Sequence, residues 1–211
     1  MKIVAFVPIK FYSQRLSNKN FLLLDNKPLC KYIFDTLNKV DRIAEIYVYC
    51  SNSNIVNYIP NNIKLLSRSS ILDSNDTLGI ELYQDFCSRV SADIYILAHA
   101  TSPFISYQSI NKGLDSILID NYDSSLSVKQ VNNFVWYQGK PLNYSINHIP
   151  RTQTIEPIYL ETSGFYIFKQ EVINKLYTRI GDKPYLVTVN NKEGIDIDTE
   201  EDFVIAQQMI E

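Results

Sequence analysis

The strongest constraint on this chain is an alternation. Short apolar runs and helix-spaced apolar stripes take turns from Ile3 to Ile119. Ile3 to Val7 is nearly unbroken apolar sequence, as expected of a strand buried on both faces. Pro28 to Val40 then carries Leu29, Ile33, Leu37 and Val40 at helical spacing, and Pro28 suits a first helical turn. Glu45 to Cys50 and Lys64 to Leu66 read as strands. Thr77 to Val90 reads as a helix, with Leu78, Leu82, Phe86 and Val90 on one stripe. Asp93 to Ala98 is a further strand, and Ser106 to Ile119 a further helix. This rhythm predicts right-handed βαβ units around a largely parallel sheet, an α/β fold.

After Ser124 the rhythm changes. Ser124 to Lys129, Phe134 to Tyr137 and Glu161 to Phe168 read as strands, with a turn at Gly139-Lys140-Pro141. Residues 130–160 are expected to form an excursion from the main sheet, a small lobe over the site or a contact with a second copy. A last helix is expected from Thr199, whose hydroxyl forms an approximate capping box with Asp202. The 211 residues suffice for one large domain, 1–211, with the excursion inside it.

Charge and composition exclude several classes. A net charge of −3 gives no broad electrostatic case for nucleic acid. No apolar stretch approaches the ~20 residues that span a bilayer. The first apolar run is interrupted by Pro8 and Lys10, so it is not read as a signal peptide, and a cytoplasmic location is expected. Cys30, Cys50 and Cys87 form no CxxC pair and are expected to be reduced, buried thiols.

Two segments carry the chemistry. The first strand ends in Ile9-Lys10-Phe11-Tyr12-Ser13-Gln14-Arg15-Leu16-Ser17-Asn18-Lys19-Asn20. In an open α/β sheet, ligands bind beyond the carboxyl ends of strands. Lys10, Arg15 and Lys19 offer cations there, and Ser13, Asn18 and Asn20 offer neutral donors, a set suited to a phosphate chain. A solvated surface loop has the same composition. Near the other end, Asp196 and Asp198 alternate with Ile195 and Ile197. On a strand both carboxylates face one way and can share Mg²⁺, which also takes phosphate oxygens. The helix N-terminus that follows would favour Asp198 and its neighbouring glutamates without any metal, but it does not account for Asp196. Arg68 follows a short strand, and Asp76-Thr77 opens a helix, so all three are placed to meet a phosphate or base. His99 follows a strand directly, and Arg151 in the excursion suits a carboxylate.

At these residues the chain resembles the acylneuraminate cytidylyltransferases, the CMP-sugar-acid synthetases for sialic acid, related nonulosonic acids and, more distantly, Kdo. The first loop follows that family's A-R-x-x-S-K-x-x-x-x-K-N. Asn26-Lys27-Pro28-Leu29 is similar to its G-K-P-L, and His99-Ala100-Thr101-Ser102-Pro103-Phe104 to its Q-x-T-S-P-L. Glu161-Thr162-Ser163-Gly164-Phe165-Tyr166-Ile167 stands where the family has N-G-A-I-Y-I. Ile195-Asp196-Ile197-Asp198-Thr199-Glu200-Glu201-Asp202 follows I-D-I-D-T-x-x-D. The five motifs span nearly the whole chain in order.

The resemblance implies a mixed, largely parallel Rossmann-like sheet of the nucleotide-diphospho-sugar transferase type, in a homodimer. It implies cytidylyl transfer from CTP to a sugar acid, with pyrophosphate released and the product used in cell-surface polysaccharide. Lys10, Ser13, Arg15, Lys19 and Asn20 would hold the nucleotide, with Arg68 and Thr77 near it. His99, Thr101, Ser102, Glu161 and Arg151 would meet the sugar acid, and Asp196 and Asp198 would hold Mg²⁺. Asp198, Lys19 and Lys10 would carry the catalysis. The chain departs from the family at Lys10, where the family has arginine, at Gln14, where it has lysine, and at His99, where it has glutamine. Phe11 and Tyr12 replace small residues and are expected to narrow the backbone's approach to phosphate. A different acceptor, such as Kdo or a sugar or polyol phosphate, and an inactive nucleotide-binding relative are the rival readings.

Overall fold

The computed structural model describes residues 1–13 and 15–210, so the departure at Gln14 lies outside the described residues. The strands are β1 (Ile3–Pro8), β2 (Leu23–Leu24), β3 (Lys27–Pro28), β4 (Glu45–Cys50), β5 (Lys64–Ser67) and β6 (Ile94–Ala98). They continue with β7 (Ser124–Val131), β8 (Trp136–Tyr137), β9 (Lys140–Pro141), β10 (Ile158–Lys169) and β11 (Pro184–Thr188). The α-helices are α1 (Leu29–Leu37), α2 (Gly79–Arg89), α3 (Tyr107–Leu118) and α4 (Glu200–Gln208).

Seven strands form one sheet in the order β11-β7-β10-β6-β1-β4-β5. β1 pairs in parallel with β4 and β6, and β4 in parallel with β5. β10 is antiparallel to both β6 and β7, so the sheet is mixed, as the family resemblance implies. The unbroken apolar run of β1 has its reason in the layers. Ile3, Ala5 and Val7 face a core shared with Ile33, Phe34 and Leu37 of α1 and Ile110, Leu114 and Ile117 of α3. Val4 and Phe6 face the opposite core, with Tyr83 and Phe86 of α2. The Phe6 and Phe86 rings stack there at 4.2 Å. All three cysteines are free and buried, and burial pushes the Cys30 and Cys87 thiols up to about 12.

Strand order fixes where a ligand can bind. From β1 the chain moves outward to β4 and β5, then returns to β6 on the other side of β1. The crevice beyond the carboxyl ends of β1 and β6 is therefore a topological switch point. The loop after β1 and the turn at His99 both open into it.

Some elements differ from the sequence reading. Pro28 closes β3 and precedes α1 rather than lying inside the helix. The segment 195–198 is not a strand but irregular chain leading into α4. Its alternation survives, because Ile197 is fully buried against Leu24, Leu29 and Ala206. Thr199 caps α4 through the expected box with Asp202. The excursion occupies residues 132–157 between β7 and β10 and holds the β8–β9 hairpin. Gln138 and Gly139 both take positive φ at its turn, which suits a tight hairpin. No helix among the described residues is long and apolar enough to cross a membrane.

Candidate active site

A cavity of about 440 Å³ opens at the switch point. Lys10, Ser13, Arg15, Lys19 and Asn20 are among its lining residues, as are His99, Thr101, Asp196 and Asp198. Nine of the residues singled out in the sequence thus share one cavity, and it holds the cationic loop and the acidic pair together.

The loop is shaped from within. Asn20 is buried, and its side-chain amide donates to the Lys10 carbonyl at 3.0 Å, folding the loop back on itself. Asn18 sits in the left-handed region (φ 52°), which asparagine tolerates. Phe11 does not narrow the phosphate approach as expected. Its ring turns away to pack at a tilt against Phe21, 4.7 Å between centroids, and Phe21 in turn packs on Tyr58. Tyr12 projects into solvent, and neither ring lines the cavity.

The acidic pair is held from behind. The Ile197 amide donates to the Thr101 carbonyl at 2.8 Å, tying the segment to the turn after β6. Asp202 accepts from the amides of Asp198 and Thr199. Asp198 faces the loop, with Lys19 Nζ and Arg15 Nη1 each donating to it at 2.6 Å. Burial alone would raise the Asp198 pKa, but hydrogen bonds and charge from Lys19 and Arg15 outweigh it and hold the carboxyl below its ordinary range. Asp196 differs, because its Oδ1 is buried without a hydrogen-bond partner among the described residues. A buried, unpartnered carboxylate oxygen beside a second carboxylate fits a divalent cation. No group of three or more potential ligands occurs among the described residues, so such an ion would draw its other ligands from water and phosphate.

His99 faces the cavity from the end of β6. Its Nδ1 meets the Ser163 carbonyl, so that nitrogen carries the hydrogen and Nε2 is left as an acceptor. Burial lowers the His99 pKa, and nearby Arg179 and Lys19 add to this, so the ring is neutral. Ser163 presents its carbonyl from a left-handed conformation (φ 57°), where the register of β10 shifts between Glu161 and Tyr166.

Seven expected residues do not line the cavity, Asn18 and Asp76 among them. The Arg68 side chain is 2% exposed, and it donates to the Ile9 carbonyl at 3.1 Å and to Asp73 at 2.6 Å. It also donates to the Tyr49 carbonyl, so it braces the exit of β1 from behind the cavity. The Thr77 hydroxyl points back to the Ile71 carbonyl, while Asn75, two residues earlier, reaches the cavity and accepts from Lys10 Nζ at 3.2 Å. Ser102 is fully buried beneath the turn. Arg151 is exposed on the excursion. Glu161 accepts from the Tyr166 hydroxyl at 2.6 Å and lies 3.7 Å from Arg179. Arg179, Asn75 and Ser163 line the cavity and were not singled out in the sequence. Ser163 lay within a quoted motif. Arg179 stands in a short loop with no motif around it.

Residues 4–208 match the cytidylyltransferase family. A 3-deoxy-manno-octulosonate cytidylyltransferase of Acaryochloris marina is 21% identical, over 100% of this chain and 98% of the relative. A CMP-N,N'-diacetyllegionaminic acid synthase of Legionella pneumophila is 27% identical, over 100% of this chain and 97% of the relative. Among solved structures, a CMP:2-keto-3-deoxy-manno-octonic acid synthetase complexed with CTP superposes with a TM-score of 0.74 at 15% identity, covering 100% and 98% of the two chains.

Proposed function

The chain belongs to the cytidylyltransferase family, and we propose that it transfers CMP from CTP to the anomeric hydroxyl of a 2-keto-3-deoxy sugar acid. The observation that carries this reading is the meeting of the cationic loop and the acidic pair in one cavity at the switch point. Relatives named for Kdo and for diacetyllegionaminic acid both match over the full chain, which supports a sugar acid as the acceptor class.

In the proposed reaction the anomeric oxygen attacks the α-phosphorus of CTP. A new P–O bond forms, the bond to the β-phosphate bridge breaks, pyrophosphate leaves with that electron pair, and the hydroxyl proton passes to solvent. Positioning and charge neutralisation supply most of such an acceleration. Lys10, Arg15 and Lys19 are the cations for the triphosphate. Binding it draws Lys19 and Arg15 from Asp198, which frees that carboxylate. Asp196 and Asp198 are the residues that would hold Mg²⁺, which would neutralise phosphate charge and acidify a bound hydroxyl. Neutral His99 offers Nε2 as an acceptor for a hydroxyl of the sugar acid. Such a CTP-consuming enzyme belongs in the cytoplasm with its nucleotide.

The excursion is proposed as the contact with a second copy. Trp136, Tyr137, Ile146 and Ile149 all stand exposed on it, an apolar surface of a kind that marks interfaces.

The test is pyrophosphate release from CTP and Mg²⁺ with N-acetylneuraminate, legionaminate, pseudaminate and Kdo. Release with one acid, and with CTP alone among nucleotides, is expected. CTP binding with no release from any acid contradicts the reading and favours an inactive relative.

A further inference from the structure

We propose that the rings of Phe11 and Phe21 clasp the loop after β1 in its binding shape before nucleotide arrives, which makes Phe11 a positioning residue for the reaction. This rests on the CTP reading above and names what sets the shape of that loop.

The loop has little else to shape it. Residues 9–22 hold no glycine and, among the described residues, no regular structure beyond a short turn at Lys19–Phe21. Its internal backbone hydrogen bonds gather in the second half, where the Lys19 amide donates to Leu16 and the Phe21 amide to Asn18. The first half carries Lys10 and Ser13 into the cavity and is held by side chains. Asn20 donates to the Lys10 carbonyl, Arg68 donates to the Ile9 carbonyl, and the Phe11 ring packs inward.

Phe11 follows Lys10, and Phe21 follows Asn20. Their rings therefore meet beside the Asn20–Lys10 hydrogen bond and close the loop across its mouth, with residues 12–20 strung between them. Tyr12 meets the Phe11 ring edge-on at 5.2 Å. Phe21 packs on Tyr58 at 4.4 Å, and all three half-buried rings of Phe11, Phe21 and Tyr58 pack against the core shared by β1, α1 and α3. Aromatic pairs of this kind stabilise beyond the area they bury. A loop already closed in the free protein leaves less chain entropy to lose when the triphosphate binds, so affinity rises without a new contact to the ligand.

A ring that only fills space predicts something different. Its loss would lower thermal stability and leave nucleotide affinity unchanged. Loss of a clasp frees the loop in the nucleotide-free protein and raises the KM for CTP. It leaves kcat in place, because saturating nucleotide restores the shape.

The experiment uses the full-length protein. Hydrogen exchange at the Lys19, Phe21 and Leu22 amides, all bonded within the loop, is read without nucleotide. Steady-state kinetics are then run with CTP, Mg²⁺ and the accepted acid. Phe11→Leu keeps an apolar side chain and removes the ring; Phe11→Met replaces it if that variant fails to fold. It should speed loop exchange and raise the KM for CTP, each by roughly 3- to 10-fold, with kcat within about twofold of wild type. Phe11→Tyr, which keeps the ring, should restore both. Phe21→Leu should match Phe11→Leu, and the double variant should be about as impaired as either single one, as expected of two halves of one contact. Unchanged loop exchange in Phe11→Leu overturns the clasp. An unchanged KM for CTP, or effects that multiply in the double variant, overturns the positioning role. A wild type that neither binds CTP nor releases pyrophosphate overturns the proposed function instead, and loop exchange then decides the clasp by itself.

Discussion

Lys19 and Asp198 stand 179 residues apart in the chain and 2.6 Å apart in the fold. This ion pair joins the loop after β1 to the segment before α4. It is the point where the two ends of the sequence become one site. A cation of the kind that suits a phosphate and a carboxylate of the kind that suits a metal neutralise each other there.

Asp198→Asn should therefore lower kcat by roughly 100-fold, the scale seen when one transition-state charge contact is removed. The fold should persist, because Ile197 and the Thr199 cap hold the segment independently. Steady-state kinetics at saturating Mg²⁺, with circular dichroism as the folding control, checks this. Near-normal turnover would remove Asp198 from the catalytic set.

His99 gives the protein a pH signature. Its pKa in the fold lies below the ordinary 6.5. Above pH 6.5 the ring is neutral in both folded and unfolded chains, and its contribution to stability is complete. As pH falls below 6.5, the unfolded chain takes up the proton first, so stability declines toward the lower folded pKa. Asp198, also lowered, adds a second loss in a more acidic range, below the ordinary carboxylate value of 3.8. Thermal midpoints of wild type should fall below pH 6.5, and His99→Gln should flatten that first decline. An unchanged slope in the variant would contradict the half-buried, neutral histidine.

Gly164 lies beside Ser163, which carries the His99 partner. A Cβ at Gly164 would stand 2.5 Å from Ile105 Cδ1 and 3.0 Å from Ser127 Oγ. Gly164→Ala should cost about 1–3 kcal/mol through overpacking. Because the His99 amide also donates to the Gly164 carbonyl, the shift should reach the cavity and lower activity too. Urea denaturation measures the stability. A variant as stable as wild type would show that the strand yields more easily than its contacts imply.

Trp136 stands 56% exposed on the excursion. If that surface meets a second copy, wild type should sediment as a dimer at micromolar concentration and Trp136→Glu as a monomer. A monomeric wild type, or a variant that dimerises equally well, would contradict the proposed contact.

The legible part of this fold was the part governed by local pattern. β4 runs from Glu45 to Cys50 as the sequence reading has it, and α3 falls within one residue of its expected ends, because burial on both faces and helical spacing leave direct marks. The cavity's two chemical segments were legible for the same reason, since cations, carboxylates and their flanking isoleucines sit close together in sequence. What was hidden depends on distant chain. Arg68 reads as a free cation until the Ile9 and Tyr49 carbonyls and Asp73 close around it. Phe11 reads as an obstruction until Phe21 and Tyr58 give its ring somewhere else to pack. Arg179 carries no local signal, because its partners Tyr83, Tyr166 and Glu161 are assembled only by the folded sheet.

The most direct test of the central claim is the phosphorus spectrum of the product formed from CTP and the accepted substrate. Attack by an anomeric hydroxyl predicts pyrophosphate and a CMP product with a single phosphodiester resonance. Two mutually coupled diphosphate resonances in the nucleotide product would mean that a phosphate, not a sugar-acid hydroxyl, is the acceptor, and would contradict the account.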